Sequence, residues 1–250
     1  MSPSEPILTL HDISLGQSTA QISLQVFASE FVVLAGPAGA EKSGLLLTAA
    51  GFREAQQGSV RLLNTDLTQC DSDDHPSLRL KTGFVFQEPI FIHNLSALEN
   101  IRLPLRYDGI LTPQAMTERV QKVLQAAGLS SDLSRTADDL CPLDRRKLAL
   151  ARAWIREPEI VFYDEPAKGL DPGAQKKIYQ TIHGYHEKRN RGGHECAALL
   201  ACNEPRGVLE FADRYLVLSA GTLTSKADQT NIRGRKETLE KEFLDFVQAI

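Results

Sequence analysis

Phe31-Val32-Val33-Leu34-Ala35 is apolar at every position and runs directly into Gly36. A strand with one wet face would alternate, so an unbroken run of this kind predicts a strand covered on both sides, as in a parallel sheet. Gly36-Pro37-Ala38-Gly39-Ala40-Glu41-Lys42-Ser43 follows, and Gly44-Leu45-Leu46-Leu47-Thr48-Ala49-Ala50 then reads as a helix. Strand, glycine-rich turn and helix, in that order, form the setting of the pattern G-x-x-x-x-G-K-[ST]. In it, backbone N–H groups and the helix N-terminus surround phosphates, the lysine reaches the terminal phosphates and the hydroxyl ligates magnesium. Residues 36–44 are therefore the candidate cofactor-binding set, with Ser43 a candidate metal ligand. One position departs, because Glu41 stands where the pattern has its second glycine. A positive φ there costs a non-glycine residue roughly 1–2 kcal/mol. A carboxylate about 5 Å from the phosphates, at an effective dielectric of about 20, repels each unit of phosphate charge by roughly 3 kcal/mol. The expectation is weakened nucleotide binding.

A second strand signal, Val161-Phe162-Tyr163, ends in Asp164-Glu165-Pro166 and is followed by Gly169-Leu170-Asp171-Pro172. With the glycine-rich turn before it, this resembles the Walker B motif and D-loop of ATP-binding cassette (ABC) ATPases. Phe84-Val85-Phe86-Gln87-Glu88 resembles that family's Q-loop strand, Glu99 to Leu105 the opening of its helical subdomain, and Arg145 to Ala153 the helix after its signature. The resemblance spans about residues 7 to 225. The segment Glu99 to Leu105 looks like that of the smaller bacterial families, including those for phospholipid or lipoprotein trafficking, a likeness too generic to fix a cargo.

The resemblance implies an α/β fold, a P-loop NTPase (RecA-like) core with an N-terminal antiparallel β layer and a helical subdomain. It places the core in residues 1–88 and 153–225, the helical subdomain in 89–152 and a C-terminal helical extension in 226–250. It implies ATP and Mg2+ as cofactors, with Asp164 holding magnesium through water, Gln87 sensing magnesium and the membrane partner, and Glu165 polarising the attacking water. Partners would be transmembrane transporter subunits and a second ABC ATPase subunit, identical or not. The protein would then sit in the cytoplasm, on the inner face of the membrane.

Three further departures accompany Glu41. Where the family signature reads close to Leu-Ser-Gly-Gly-Gln, this chain has Leu140-Cys141-Pro142-Leu143-Asp144: proline removes a backbone donor, leucine blocks close approach and the aspartate adds negative charge. Cys202 occupies the switch-histidine position after Ala197 to Ala201, followed by Asn203, and a thiol is a weak donor. The adenine-stacking aromatic is missing from Ile13-Ser14-Leu15-Gly16-Gln17. These substitutions predict a degenerate subunit with weak or absent hydrolysis. A fully active transport ATPase is the alternative, and it requires Glu41 to swing outward and a second subunit to supply the signature. A soluble scaffold or regulator that kept the fold is another, and exposure of the apolar segment Pro89 to Leu95 separates it from the membrane-coupled readings.

Elsewhere the chain is ordinary. A net charge of −4 gives no nucleic-acid footprint, and Arg145-Arg146-Lys147 reads as a solvated face. No apolar run is long enough to span a bilayer, and no signal-peptide core is present. The four cysteines lack metal or disulfide spacing and are expected as free thiols, and the six histidines read as surface residues. Ile22, Leu24 and Val26 alternate as a half-buried strand, in a layer with Ser59 to Leu62. Thr112-Pro113 starts a helix with an apolar face from Met116 to Ala127, which Gly128 ends. The region from about residue 89 to 152 reads as helical throughout.

Overall fold

The computed structural model describes residues 5–15, 21–68, 76–130, 132–219 and 221–225. The predicted C-terminal extension, Gly16 and Gln17, Cys70 and His75 lie outside them. Two sheets form the frame. Strands β1 (Leu8–Ser14), β2 (Gln21–Val26), β4 (Ser59–Leu62) and β5 (Thr65–Asp66) make an antiparallel sheet in the order β2-β1-β4-β5. The larger sheet has the order β10-β9-β3-β8-β7-β6, with β3 (Phe31–Ala35), β6 (Thr82–Val85), β7 (Ile160–Asp164), β8 (Ala197–Cys202) and β9 (Arg214–Ser219) parallel. Strand β10 (Thr222–Ser225) closes its edge as an antiparallel hairpin on β9.

The unbroken apolar strands follow from two separate cores. Phe31, Val33 and Ala35 of β3 join a core packed on helices, together with Val161, Tyr163, Ala198 and Leu200. Val32 and Leu34 point the other way, with Phe162 and Leu199, into a core shared with β1, β2, β4 and helix α1 (Lys42–Ala49). Every residue of β3, β7 and β8 is buried, whereas β2 alternates exposed and buried because only one of its faces is covered.

Helix α2 (Pro76–Lys81) leads into β6. Helices α3 (Ala97–Asp108), α4 (Pro113–Ala127) and α5 (Pro142–Trp154) pack on one another and, with α6 (Pro172–Arg191), on the sheet. Residues 89–96 are an irregular segment, not the helix expected there. It ends where Ser96 and Glu99 form a capping box that starts α3. Asn100, fully buried, clamps this segment: its amide donates to the carbonyls of Ile92, Leu95 and Ser96, and its Oδ1 accepts from the Ile92 N–H. Helix α4 starts on the Thr112 side chain and stops at Gly128, φ 63°.

Two surface expectations fail. Arg146 is 8 % exposed, its guanidinium drawn inward by backbone carbonyls. His186 is 3 % exposed: its Nδ1–H donates to the Cys196 carbonyl (3.1 Å), and its Nε2 accepts from the Tyr163 hydroxyl (2.8 Å), which in turn accepts from the Trp154 indole N–H (2.8 Å). Four satisfied groups in a row make this imidazole cheap to bury while neutral. Cys141, Cys196 and Cys202 are free, and among the described residues no helix is long and apolar enough to cross a membrane.

Candidate functional site

The C-terminal ends of β3, β7 and β8 converge on the turn between β3 and α1, so residues distant in sequence share one small volume. Gly36 has no room for a side chain, since a Cβ would lie 2.2 Å from the Leu218 carbonyl oxygen of β9. Pro37 is half-buried, Ala38 and Gly39 are exposed and Ala40 is buried. Gly39 takes φ +85° and faces open space, as a backbone cradle for a ligand needs. Lys42 is 5 % exposed, and its Nζ donates to the carbonyls of Gly36 and Pro37 (2.9 Å each) and to Asn203 Oδ1 (2.7 Å), with Glu165 Oε1 at 3.9 Å. Burial lowers the Lys42 pKa and the Glu165 carboxylate opposes that shift. Ser43 Oγ donates to Asp164 Oδ1 at 2.9 Å.

Glu41 does adopt the left-handed backbone, φ 61°, at the N-cap of α1, and its side chain makes no capping bond. Its carboxylate points toward Arg53. It lies against Gly44, whose added Cβ would sit 2.9 Å from Glu41 Oε2, and it faces Arg53 Nη1 at 3.9 Å with half its surface in solvent. The positive φ expected at this position is present, and the carboxylate lies on the Arg53 side of the helix start.

Asp164 and Glu165 end β7. Burial raises both carboxyl pKa values, opposed for Asp164 by the Ser43 hydrogen bond and for Glu165 by the charge of Lys42. Glu165 holds φ 46°, and the Asn203 N–H donates to its carboxylate. Asn203 therefore touches both Lys42 and Glu165, a role that the residue pattern did not reveal. The available signal was a polar amide at the carboxyl end of a central parallel strand, where α/β sheets gather their ligand contacts. Cys202, 1 % exposed, has its thiol pushed far above the ordinary range by burial, with the Glu165 carboxylate adding to the effect. It stays a neutral, weak donor.

Gln87 is half-buried, and its backbone carbonyl accepts from Arg146 Nη1; among the described residues no hydrogen bond joins its side chain to Ser43 or Asp164. Arg146 Nη2 donates at 2.7 Å to the Lys168 carbonyl, so one guanidinium ties the Gln87 segment to the loop before Asp171. Asp171 caps α6 through the N–H groups of Gly173 and Ala174. Cys141 and Pro142 are exposed at the start of α5, the thiol makes no cap bond, and Asp144 faces Lys147 at 3.5 Å. Beyond Gln87, Phe91 is buried beneath Arg152 and Arg145, while Ile90 (70 %) and Ile92 (42 %) stand in solvent.

The geometry suits a polyphosphate with a hard cation. Open backbone at Gly39, an ammonium at the loop base and a hydroxyl beside a carboxylate are the donor set such a ligand needs. Lys42, Gly39 and the α1 N-terminus would hold phosphate, and Ser43 with Asp164 would hold the cation.

Residues 19–168 match the family described as ABC transporter. The chain is 33 % identical over 82 % of its length to the phosphonates import ATP-binding protein PhnC of Frankia casuarinae, covering 83 % of that protein. It is 28 % identical over 84 % of its length to the lipoprotein-releasing system ATP-binding protein LolD of Legionella pneumophila, covering 92 %. Among solved structures, the ATP-binding cassette MJ0796, a dimer in a post-hydrolysis state bound to ADP and Pi, superposes with a TM-score of 0.75 at 25 % identity over 88 % of this chain and 99 % of that one. A strand-turn-helix cradle with its lysine, a hydroxyl–carboxylate pair at the sheet end and these likenesses together place the chain in the ABC transporter family, as an ATP-binding domain.

Proposed function

We propose that this chain is a nucleotide-binding subunit of an ABC transporter that couples to a membrane-embedded partner and hydrolyses ATP weakly or not at all by itself. The carrying observation is Cys202: a thiol sealed at the end of β8, beside Glu165, stands where an imidazole would be needed to contact the γ-phosphate. When bound, Mg-ATP would bring the phosphoanhydride to be cleaved. The chain supplies Lys42 and the α1 N-terminus to bind phosphate, Ser43 and Asp164 for magnesium, and Glu165 to orient water. Its α5 N-terminus, with Pro142 and Asp144, makes a poor anion site for a nucleotide held by a second subunit.

The division into a core (residues 1–88 and 153–225) and a helical subdomain (89–152) belongs to this reading. So does peripheral attachment in the cytoplasm through a partner. The exposed Ile90 and Ile92, held out by the Asn100 clamp, support a membrane partner over a soluble scaffold. One observation favours full activity instead, namely the outward carboxylate of Glu41. Calorimetric titration with Mg-ATP beside a phosphate-release assay on the same sample separates the two. Binding without turnover supports the proposal, steady turnover by the isolated chain replaces it with the active enzyme, and absence of binding at millimolar ATP overturns both.

A further inference from the structure

Cys202 and Asn203 leave the end of β8 on opposite sides. Ala198, Leu200 and Cys202 enter the core packed on helices, whereas Ala197, Leu199 and Ala201 enter the core shared with α1. Alternation continued by one residue sends Asn203 to the α1 side, in agreement with its contact to Lys42 at the start of that helix. Cys202 pairs with Ala35 of β3, immediately before Gly36, and Ala201 pairs with Asp164 of β7, immediately before Glu165. Asn203 is therefore the first residue past the sheet, between the glycine-rich turn and Glu165.

Its amide is half used. Lys42 offers N–H donors alone, so the Asn203 oxygen must be the atom that faces it, at 2.7 Å, and the NH2 group takes the other side. Those two N–H bonds have no partner among the described residues. They are not sealed either, since Asn203 is half-buried and its Nδ2 is not one of the enclosed unpaired atoms. A neutral double donor, open to the site and fixed in direction by a buried lysine, is a group that an anionic oxygen completes. The neighbours indicate which oxygen. In a loop of this kind backbone N–H groups hold the inner phosphates and the lysine tip reaches the outer ones. Asn203 Oδ1 and Glu165 Oε1 (3.9 Å) both approach that tip, so the free donors belong to the outermost end of the loop, where Glu165 would orient water.

We propose that the Asn203 side-chain amide is this chain's contact to the terminal phosphate, by which it distinguishes a nucleoside triphosphate from a diphosphate. The proposal rests on the nucleotide-binding reading above and names a residue for it: the contact that the sealed Cys202 thiol cannot make passes to the next side chain. A neutral amide donates hydrogen bonds to a phosphate oxygen but brings no positive charge and no titrating ring. It therefore favours holding the triphosphate over cleaving it.

Calorimetry of the full chain with the magnesium complex of the β,γ-imido analogue of ATP, which cannot turn over, beside Mg-ADP reads the contact as a ratio of two affinities. Asn203→Ala removes oxygen and donors together. Loss of the oxygen frees Lys42 toward either nucleotide and largely cancels in the ratio, whereas loss of the donors weakens the triphosphate alone. The preference for triphosphate should fall by about tenfold. Asn203→Asp, isosteric and still an acceptor for Lys42, should lower it at least as far, which keeps the test open if the alanine variant folds poorly. An unchanged ratio in both variants, with both nucleotides still bound, overturns this inference and leaves the nucleotide-binding reading standing; so does a fall produced by Cys202→Ala in their place. Absence of binding of either nucleotide to the wild type at millimolar concentration overturns both.

Discussion

Glu41 combines two penalties that act on different measurements. The φ of 61° carries a strain of roughly 1–2 kcal/mol that belongs to the fold itself. The carboxylate is half-exposed and 3.9 Å from Arg53, so it acts on phosphate through a dielectric nearer that of water. At the same separation of about 5 Å and an effective dielectric of about 60, each unit of phosphate charge is repelled by about 1 kcal/mol, well below the value for a dielectric of about 20. Glu41→Gln, which removes the charge and keeps the strain, should tighten Mg-ATP binding by about five- to tenfold. Glu41→Gly should tighten it by a similar factor and, alone of the two, stabilise the fold by about 1 kcal/mol after the added chain entropy of glycine, for a rise in Tm of about 2–4 °C. Calorimetry with Mg-ATP and thermal melts without nucleotide measure the two effects separately. The reasoning fails if Glu41→Gln leaves affinity unchanged while Glu41→Gly improves it tenfold, because strain would then have to be imposed by the nucleotide.

His186 is buried and neutral, with a pKa lowered from 6.5 to about 4 by desolvation. A depressed histidine stabilises the fold fully above 6.5, and that contribution, about 3 kcal/mol, is lost as pH falls through the window from 6.5 to 4. Urea midpoints across this window should fall more steeply for wild type than for His186→Gln, and parallel profiles would refute the assignment. Arg146→Ala strands the carbonyls of Gln87 and Lys168 and should cost about 3 kcal/mol. Arg146→Lys should recover less than half, since an ammonium lacks the planar fork that reaches both. A urea midpoint for Arg146→Ala within error of wild type would show that the bridge is dispensable.

Much of the fold was legible because single-residue patterns dictate it. Phe31 to Ala35 is apolar throughout because alternate residues enter two different cores, and α4 starts and stops on local chemistry at Thr112 and Gly128. The capping box at Ser96 and Glu99 was an equally local signal that went unread. Arg146, His186 and Asn203 were hidden for another reason. Their environments depend on partners 59, 23 and 161 positions away, and a basic or polar letter carries no record of such distant neighbours. The direction of the Glu41 side chain was likewise set by Arg53, outside the motif.

Lys42 carries its own substitute ligand. Three oxygens, from Gly36, Pro37 and Asn203, already satisfy all three N–H bonds of its ammonium. An incoming phosphate therefore gains only the difference between its bonds and those it displaces, and affinity at this loop is an exchange constant, not a sum of contacts. Asn203 is the weakest-tethered of the three, a side chain in place of a backbone oxygen, so it is the natural one to yield. Because the ammonium also faces Glu165 Oε1 at 3.9 Å, its shift toward phosphate on release by Asn203 would be felt at that carboxylate. Occupancy of the loop and the posture of Glu165 are thus two readings of one equilibrium.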